Sequence, residues 1–563
     1  MICKLKNYLF VFLFLFINTH TSVHASFFQS KNSLESFDYI SNYLKGSLSV
    51  NHNNYREANL FFSKTKDLAK SHDGYDFRYI YSLAMEGKIG EANKLISALE
   101  QKDNFLFQLI QGVYLIKNRN YFLAKKVFIS SNRQNPLFDE LNNYINLWLD
   151  ISYNDFSEQE LKLKQFKSSF NNIKLIQTLL IYDYVDNQKS YDKISDLILK
   201  QTTLGRYHFF HAIHLIKKQK YSEAETIIQK QLIYNQTDLL LKQSYVELKN
   251  KNFSFFTQKY DAKNISHGIS ELLYLFANLL QQQNQTDLSK LIASLSDYLN
   301  PGFVSNKLLN FENIILNTDM PFESDYAQTI ENIGTEFSWY INFNKLLHSN
   351  NIEKKDIIKN LEKTISQNKY FRFSKFLDMA NYYRSNKNFE LALDYYLKAE
   401  AIALPKEMDW KIYYYKGICY ERMGQFEKAD KQFLLSLKMS PEQYAVINYL
   451  AYSWLERGVN LPESKKMLEK AVRLSKWELG YIIDSLGWAY YLQNNFNEAE
   501  KLLQLAYEKS PQESEVYDHY ADVLWKNNKK LQARYVWKNA TRLPNIDKER
   551  LSNINKKLTY GIQ

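Results

Sequence analysis

Few residues of the 563-residue chain stand at spacings that could carry a reaction. His208, His211 and His214 recur every third residue. On a helix turning 100° per residue the first two share a face, whereas His214 has rotated roughly 240° from His208. Structural zinc normally takes four ligands and no further ligand types lie nearby, so no metal is expected there. No His-Glu-x-x-His, no Gly-x-Ser-x-Gly elbow and no phosphate-cradling glycine loop occurs. No catalytic residue and no cofactor is therefore assigned, and the chain is not expected to be an enzyme. What does recur is a set of aromatic rings with carboxylates and an amide: Tyr414, Asn448, Tyr452, Tyr481, Asp484, Trp488, Tyr491, Asp518, Asp522 and Trp525. Such rings stack on side chains while the carboxylates and amide accept backbone N–H groups or pair with basic residues, the chemistry of holding an extended peptide.

The elements that would position these residues follow from a repeat. Gly417, Ala451, Gly487 and Ala521 are separated by 34, 36 and 34 residues, within two of the tetratricopeptide period. Each unit reads as two packed helices with a small residue where they touch. Counting from Gly480, the unit carries Gly487, Tyr490, Ala499, Ala506 and Pro511 at the positions that pattern requires. Positions four, seven, eight and eleven pack inward, so positions two, five, nine and twelve face the inner side of the superhelix. For this unit those are Tyr481, Asp484, Trp488 and Tyr491; the next contributes Glu515, Asp518, Asp522 and Trp525; the earlier ones give Tyr414, Asn448 and Tyr452. The expected surface is an aromatic groove with an acidic end. The lysine or arginine clamp with which some tetratricopeptide domains take a terminal carboxylate is missing, since position five holds Tyr414, Asn448, Asp484 and Asp518. The bland alternative is that Trp488 and Trp525 only pack against adjacent repeats.

Along the chain, residues 1–25 read as a secretory signal peptide: Lys4 and Lys6, an apolar run from Leu9 to Ile17, and a small-residue site before Ser26. A run about half of the ~20 apolar residues needed to span a bilayer favours cleavage over an uncleaved anchor. Cys3 precedes the run, so lipidation there is not expected, and Cys419 is left as the lone cysteine, a packing residue. Residues 26–38 lead in, 39–372 carry degenerate helical repeats, 373–547 carry well-formed ones, and 548–563 form a tail. Within the degenerate stretch, three hairpins are predicted between about 39 and 138, Asn252–His267 is too polar to assign, and Met320-Pro321 marks a turn. With only 15 Gly and 8 Pro, the chain is expected to be an all-α solenoid of about fifteen hairpins, each burying its apolar face only against its neighbours. The net charge of +11 falls to +9 without Lys4 and Lys6, and the lysines are scattered rather than striped, so no nucleic-acid partner is expected.

The words Gly-Ile-Cys-Tyr-Glu-Arg at 417–422, Ile-Asn-Tyr-Leu-Ala-Tyr-Ser-Trp at 447–454, Asp-Ser-Leu-Gly-Trp-Ala-Tyr-Tyr at 484–491 and Asp-His-Tyr-Ala-Asp-Val-Leu-Trp at 518–525 resemble those of long envelope tetratricopeptide proteins of Gram-negative bacteria. Some of that group bring substrates to a carboxyl-terminal processing protease. The resemblance implies a periplasmic, non-catalytic scaffold or adaptor whose partner is a protein or peptide, with a periplasmic protease or cell-wall hydrolase as the candidate. It leaves membrane association open, because the lipidated cysteine of the lipoprotein members is missing. A second reading from a different class is a glycan-binding or polysaccharide-export component, because aromatic grooves also stack on sugar rings.

Overall fold

The computed structural model describes residues 33–66, 74–99, 104–129, 136–153, 156–315, 325–348, 354–544 and 546–562. The signal-peptide stretch, most of the lead-in and the Met320-Pro321 turn lie outside these residues. The described residues form 31 α-helices and no strand, and in chain order the helices pair as fifteen hairpins with one helix left over. Among the described residues, no helix is long and apolar enough to cross a membrane.

One local device closes most of the hairpins. The first helix ends on a residue in the left-handed region, such as Asn53, Asn284, Asn494 and Asn528, or glycine at Gly87, Gly424 and Gly458. The following N–H then bonds back five residues, as from Asn495 to Tyr490 O at 3.0 Å and from Gln425 to Tyr420 O at 2.8 Å. That closure satisfies carbonyls the ended helix leaves orphaned. An asparagine frequently restarts the chain: the side chains of Asn54, Asn187, Asn388 and Asn495 each accept an N–H of the next helix's first turn. Inside the hairpin the small residue does what its spacing requires. A Cβ on Gly46, Gly112 or Gly417 would lie 2.8, 2.2 or 2.5 Å from the rings of Phe62, Phe128 and Phe433, and one on Gly487 would lie 2.7 Å from Leu503. In each case the partner stands sixteen residues on, so the large side chain of the second helix is seated against bare backbone of the first. Phe62, Phe433 and Leu503 are fully buried there, each contributing about 1.5–3 kcal/mol of transfer free energy.

The chain divides into two compact units, Met1–Thr364 and Ile365–Gln563. The first departs from a simple array. Its hairpin Ile265–Gln282/Thr286–Leu299 packs not only on sequence neighbours but on the first helices of earlier hairpins: Tyr75–Met85, Phe105–Lys117, Pro136–Tyr153 and Asn171–Tyr184. Small residues permit the approach. A Cβ on Gly268 would lie 2.5 Å from the Trp148 indole, Ser294 Oγ donates to Ala84 O at 3.0 Å, and Lys290 Nζ donates to Asn53 Oδ1 at 3.0 Å. The expectation that every hairpin buries its apolar face against neighbours alone therefore fails in this unit. The polar stretch 252–267 contains a short helix, Ser254–Lys259, followed by fully enclosed Tyr260. In the second unit five hairpins run from Arg372 to Ala540, and residues 548–560, expected to be a tail, form a further helix, Lys548–Tyr560.

Candidate functional site

In the second unit the inner face is formed by the first helices Trp410–Arg422, Tyr444–Glu456, Gly480–Leu492 and Ser514–Lys526. The carboxylates expected to greet a ligand turn inward. Asn448, Asp484, Asp518 and Asp522 are only 8, 4, 7 and 6 % exposed. Asp484 Oδ2 accepts from His519 Nδ1 at 2.8 Å, joining one repeat to the next. Burial opposes a charge on His519, but Asp484, Glu515 and Asp518 outweigh it and raise the imidazole to about 9, so it is an imidazolium at neutral pH. Trp537 Nε1 donates to both Asp518 Oδ1 and Asp522 Oδ1 at 3.1 Å. Lys557 Nζ from the last helix pairs with Asp518 and Asp522, each at 2.7 Å, and Arg550 reaches Glu515 at 3.2 Å. Burial and the neighbouring Asp518 push the Asp522 carboxyl up to about 6, with Lys557 and His519 pulling against them. The acidic end thus exists but is covered by the chain itself.

The aromatic part is divided. Trp488 lies parallel to Tyr491 at 4.5 Å and to His519 at 4.1 Å, and its indole N–H donates to Glu456 Oε1 at 3.0 Å. Two parallel neighbours at these separations take both faces of the indole. Trp525 packs on Trp537 at 5.5 Å, and the backbone of Gly561 passes so close that a Cβ there would lie 2.1 Å from the ring. Both tryptophans thus make packing contacts, Trp488 with rings of its own and the next repeat and Trp525 within its own hairpin and on Gly561. Tyr481 is 44 % exposed, and Tyr414, Tyr452 and Tyr491 are half-buried. The Tyr452 hydroxyl donates to Glu515 Oε1 at 3.1 Å, skipping the repeat between them. His519 and Glu456, on the same helices, and Arg550 and Lys557, in the supposed tail, are site residues that the repeat positions did not select. The seven-residue spacing of the last two, two turns of one helix face, was their one signal.

Of the histidines, His211 and His214 come together around Tyr191, whose ring stacks on theirs at 5.7 and 3.9 Å, but the three imidazoles bond to different groups. His208 Nδ1 donates to Leu204 O at 3.3 Å, His211 Nδ1 meets the Tyr191 hydroxyl at 3.0 Å and His214 Nδ1 meets Asp183 at 2.7 Å, three separate partners. Among the described residues no group of three or more His, Cys, Asp or Glu could hold a metal ion. Cys419 is buried, and that burial pushes its thiol up to about 12, away from reactivity.

No family model matches the chain. The TPR repeat-containing protein PA4667 of Pseudomonas aeruginosa is 26 % identical over 114 residues, covering 20 % of this chain and 19 % of that protein. The chain therefore spans about a fifth of the length of this curated relative. Among solved structures, MamA of Desulfovibrio magneticus RS-1 is 17 % identical at a TM-score of 0.27, covering 30 % of this chain and 94 % of its own. TTC0263, a thermophilic TPR protein of Thermus thermophilus, is 15 % identical at 0.30, covering 33 % and 99 %. The APC/C hetero-tetramer Cut9–Hcn1 is 13 % identical at 0.34, covering 94 % and 99 %. Likenesses of that size carry no weight for function. The helices form the stacked hairpins of a tetratricopeptide-type solenoid, with the repeat period and the glycine contacts that pattern requires, and over 114 residues the chain is similar to a TPR repeat-containing protein.

Proposed function

We propose that the chain is a non-catalytic adaptor of the bacterial cell envelope whose second unit holds an extended segment of a protein partner, presenting it to a periplasmic protease or cell-wall hydrolase. The observation that carries the reading is the set of tyrosines on the first helices of this unit, Tyr481, 44 % exposed, with the half-buried Tyr414, Tyr452 and Tyr491. Tyrosine supplies large contact area at low entropic cost together with a polar tip, which suits peptide recognition. Glu515, half-buried between Tyr452 and Arg550, gives the strip one polar reference point. The envelope setting rests on the leader and on the resemblance.

The test is capture from envelope extract by the intact chain, followed by affinity measurement of the recovered protein against Tyr481→Ala and Tyr414→Ala. A tenfold or greater loss with unchanged melting temperature supports the reading; full affinity in both variants contradicts it. Sugar binding is disfavoured by the sandwiched Trp488, whose faces are taken. Retention of murein or polysaccharide with no protein would restore that reading.

A further inference from the structure

The helix Lys548–Tyr560 stands where the first helix of another repeat would stand, yet it is held differently. The preceding first helix, Ser514–Lys526, buries Val516, Ala521, Val523 and Leu524. The last helix fully buries Ile554 alone, with Leu558 partly covered, and Ile562 just beyond its end packs on the same cluster. Arg534 Nη1 donates to Leu558 O at 2.8 Å and Gly561 passes close to the Trp525 ring, and the rest of its hold is charge: Arg550 on Glu515 and Asp518, at 3.2 and 3.9 Å, and Lys557 on Asp518 and Asp522, at 2.7 Å each. Two buried carboxylates, Asp518 and Asp522, are costly without cations beside them, and with half-buried Glu515 next to them this surface demands an occupant that supplies cations. The demand has a pattern: two cations seven residues apart with an apolar residue four after the first, all on one helix face, over a floor of Trp525 and Trp537. Ion pairs that are one-quarter exposed, as those of Arg550 and Lys557 are, exchange and weaken with salt far more readily than an apolar seam.

We propose that this acidic, tryptophan-floored end is a second docking surface, for a basic amphipathic helix of a partner protein, and that the chain's own last helix is its resident, exchangeable occupant. The proposal rests on the reading of this unit as a protein-binding scaffold, but it uses residues other than the tyrosine strip. Loss of binding in Tyr481→Ala and Tyr414→Ala therefore speaks to the strip alone, and the experiment below to this end alone.

The probe is a fluorescein-labelled peptide of residues 547–561, titrated by anisotropy into the full chain and into the full chain carrying Arg550→Gln with Lys557→Gln. The double variant untethers the resident helix and should bind the peptide at least tenfold more tightly than the unaltered chain. That binding should weaken as salt rises and vanish when Asp518→Asn and Asp522→Asn are added. Equal, undetectable binding in both proteins overturns the proposal, as does equal binding of a peptide of the same composition with its cations out of register. Concentration-dependent dimerisation of the double variant without peptide binding assigns the surface to a second copy of the chain and equally overturns it. Hydrogen exchange on the unaltered chain gives an answer even where the variant does not fold. Amides of 552–560 should exchange at least a hundredfold faster than those of 518–526, and faster again in high salt; matched exchange in the two helices would show the last one to be fixed structure.

Discussion

In the first unit four early helices are packed against the hairpin Ile265–Leu299 of the same chain, and in the second the first helices carry Tyr481, which is exposed, and the half-buried Tyr414, Tyr452 and Tyr491. The covering hairpin of the first unit is built for close approach. Where the chain covers itself, the hairpin meets the early helices through small residues, Gly268 against the Trp148 indole and Ser294 Oγ donating to Ala84 O at 3.0 Å, while Ser270 Oγ donates to Ser296 O at 2.8 Å inside the hairpin. Small, internally satisfied residues let helices close on one another at core density. On the second unit the first helices themselves carry Tyr414, Tyr452, Tyr481 and Tyr491, rings furnished with polar tips. One repeat has thus been used twice, once as a wrapped core and once as a surface.

The strongest way to break that contrast is to empty the wrapped core. Phe276 is fully buried in the covering hairpin and its ring lies 6.3 Å from that of Phe170. Phe276→Ala should cost about 3–5 kcal/mol, and because that hairpin touches four distant helices, limited proteolysis should open residues 75–185 together with 265–299. Cleavage confined to 265–299 would show that the hairpin is an appendage rather than the core.

A second test sharpens the contrast by pH. His519 has its imidazole raised from 6.5 to about 9 by Asp484, Glu515 and Asp518 against the pull of burial. A raised folded-state value means that the stabilisation is fully present below about pH 6.5 and is lost as pH rises through about 9, amounting to about 3 kcal/mol. Hydrogen exchange of 480–526 should therefore quicken steadily between those limits, and His519→Gln should flatten the dependence. A flat profile in the unaltered chain would show that the Asp484–His519 pair does not join the repeats as an ion pair. Asp522, raised to about 6 by burial and Asp518, works in the same sense at lower pH: its ionisation between about pH 4 and 6 opposes folding, so the Lys557 pairing matters most above that range.

The repeat pattern was legible because its determinants are local. Gly417 and Phe433, or Gly487 and Leu503, lie sixteen residues apart and meet inside one hairpin, so spacing alone names them. The wrapping of the first unit was not legible: Lys290 meets Asn53 across 237 residues and Ser294 meets Ala84 across 210, contacts for which no period exists. At the candidate groove the contacts of the carboxylates were not legible either. Position five was assigned to the groove, but Asp484 spends its carboxylate on His519 of the next repeat, and Asp518 and Asp522 spend theirs on Trp537 and Lys557. A polar side chain at a helix–helix seam and one facing solvent look alike in a sequence.

A smaller effect probes the array character of the second unit. Gly487→Leu forces methylenes against Leu503, which a Cβ alone would already approach to 2.7 Å. Overpacking should cost about 1–3 kcal/mol and stay within 444–526, because each hairpin there leans on its neighbours. Simultaneous loosening of residues 372–440 would contradict that locality. Smallest of all, Tyr481→Ala removes an exposed ring and should change stability by less than about 0.5 kcal/mol. Its effect belongs to binding, at about tenfold in partner affinity, and a thermal melt beside a binding isotherm reads both.

The central claim is that partner contact falls on the tyrosine strip of the second unit. Site-specific photocrosslinking in the native cell tests it directly, with a benzophenone side chain placed at Tyr481, at Tyr414, and as a reference at Tyr535, which is 66 % exposed on the second helix of the last hairpin. The account predicts one discrete protein adduct from Tyr481 and Tyr414 and none from Tyr535; adducts from Tyr535 with none from Tyr481 or Tyr414 would contradict it.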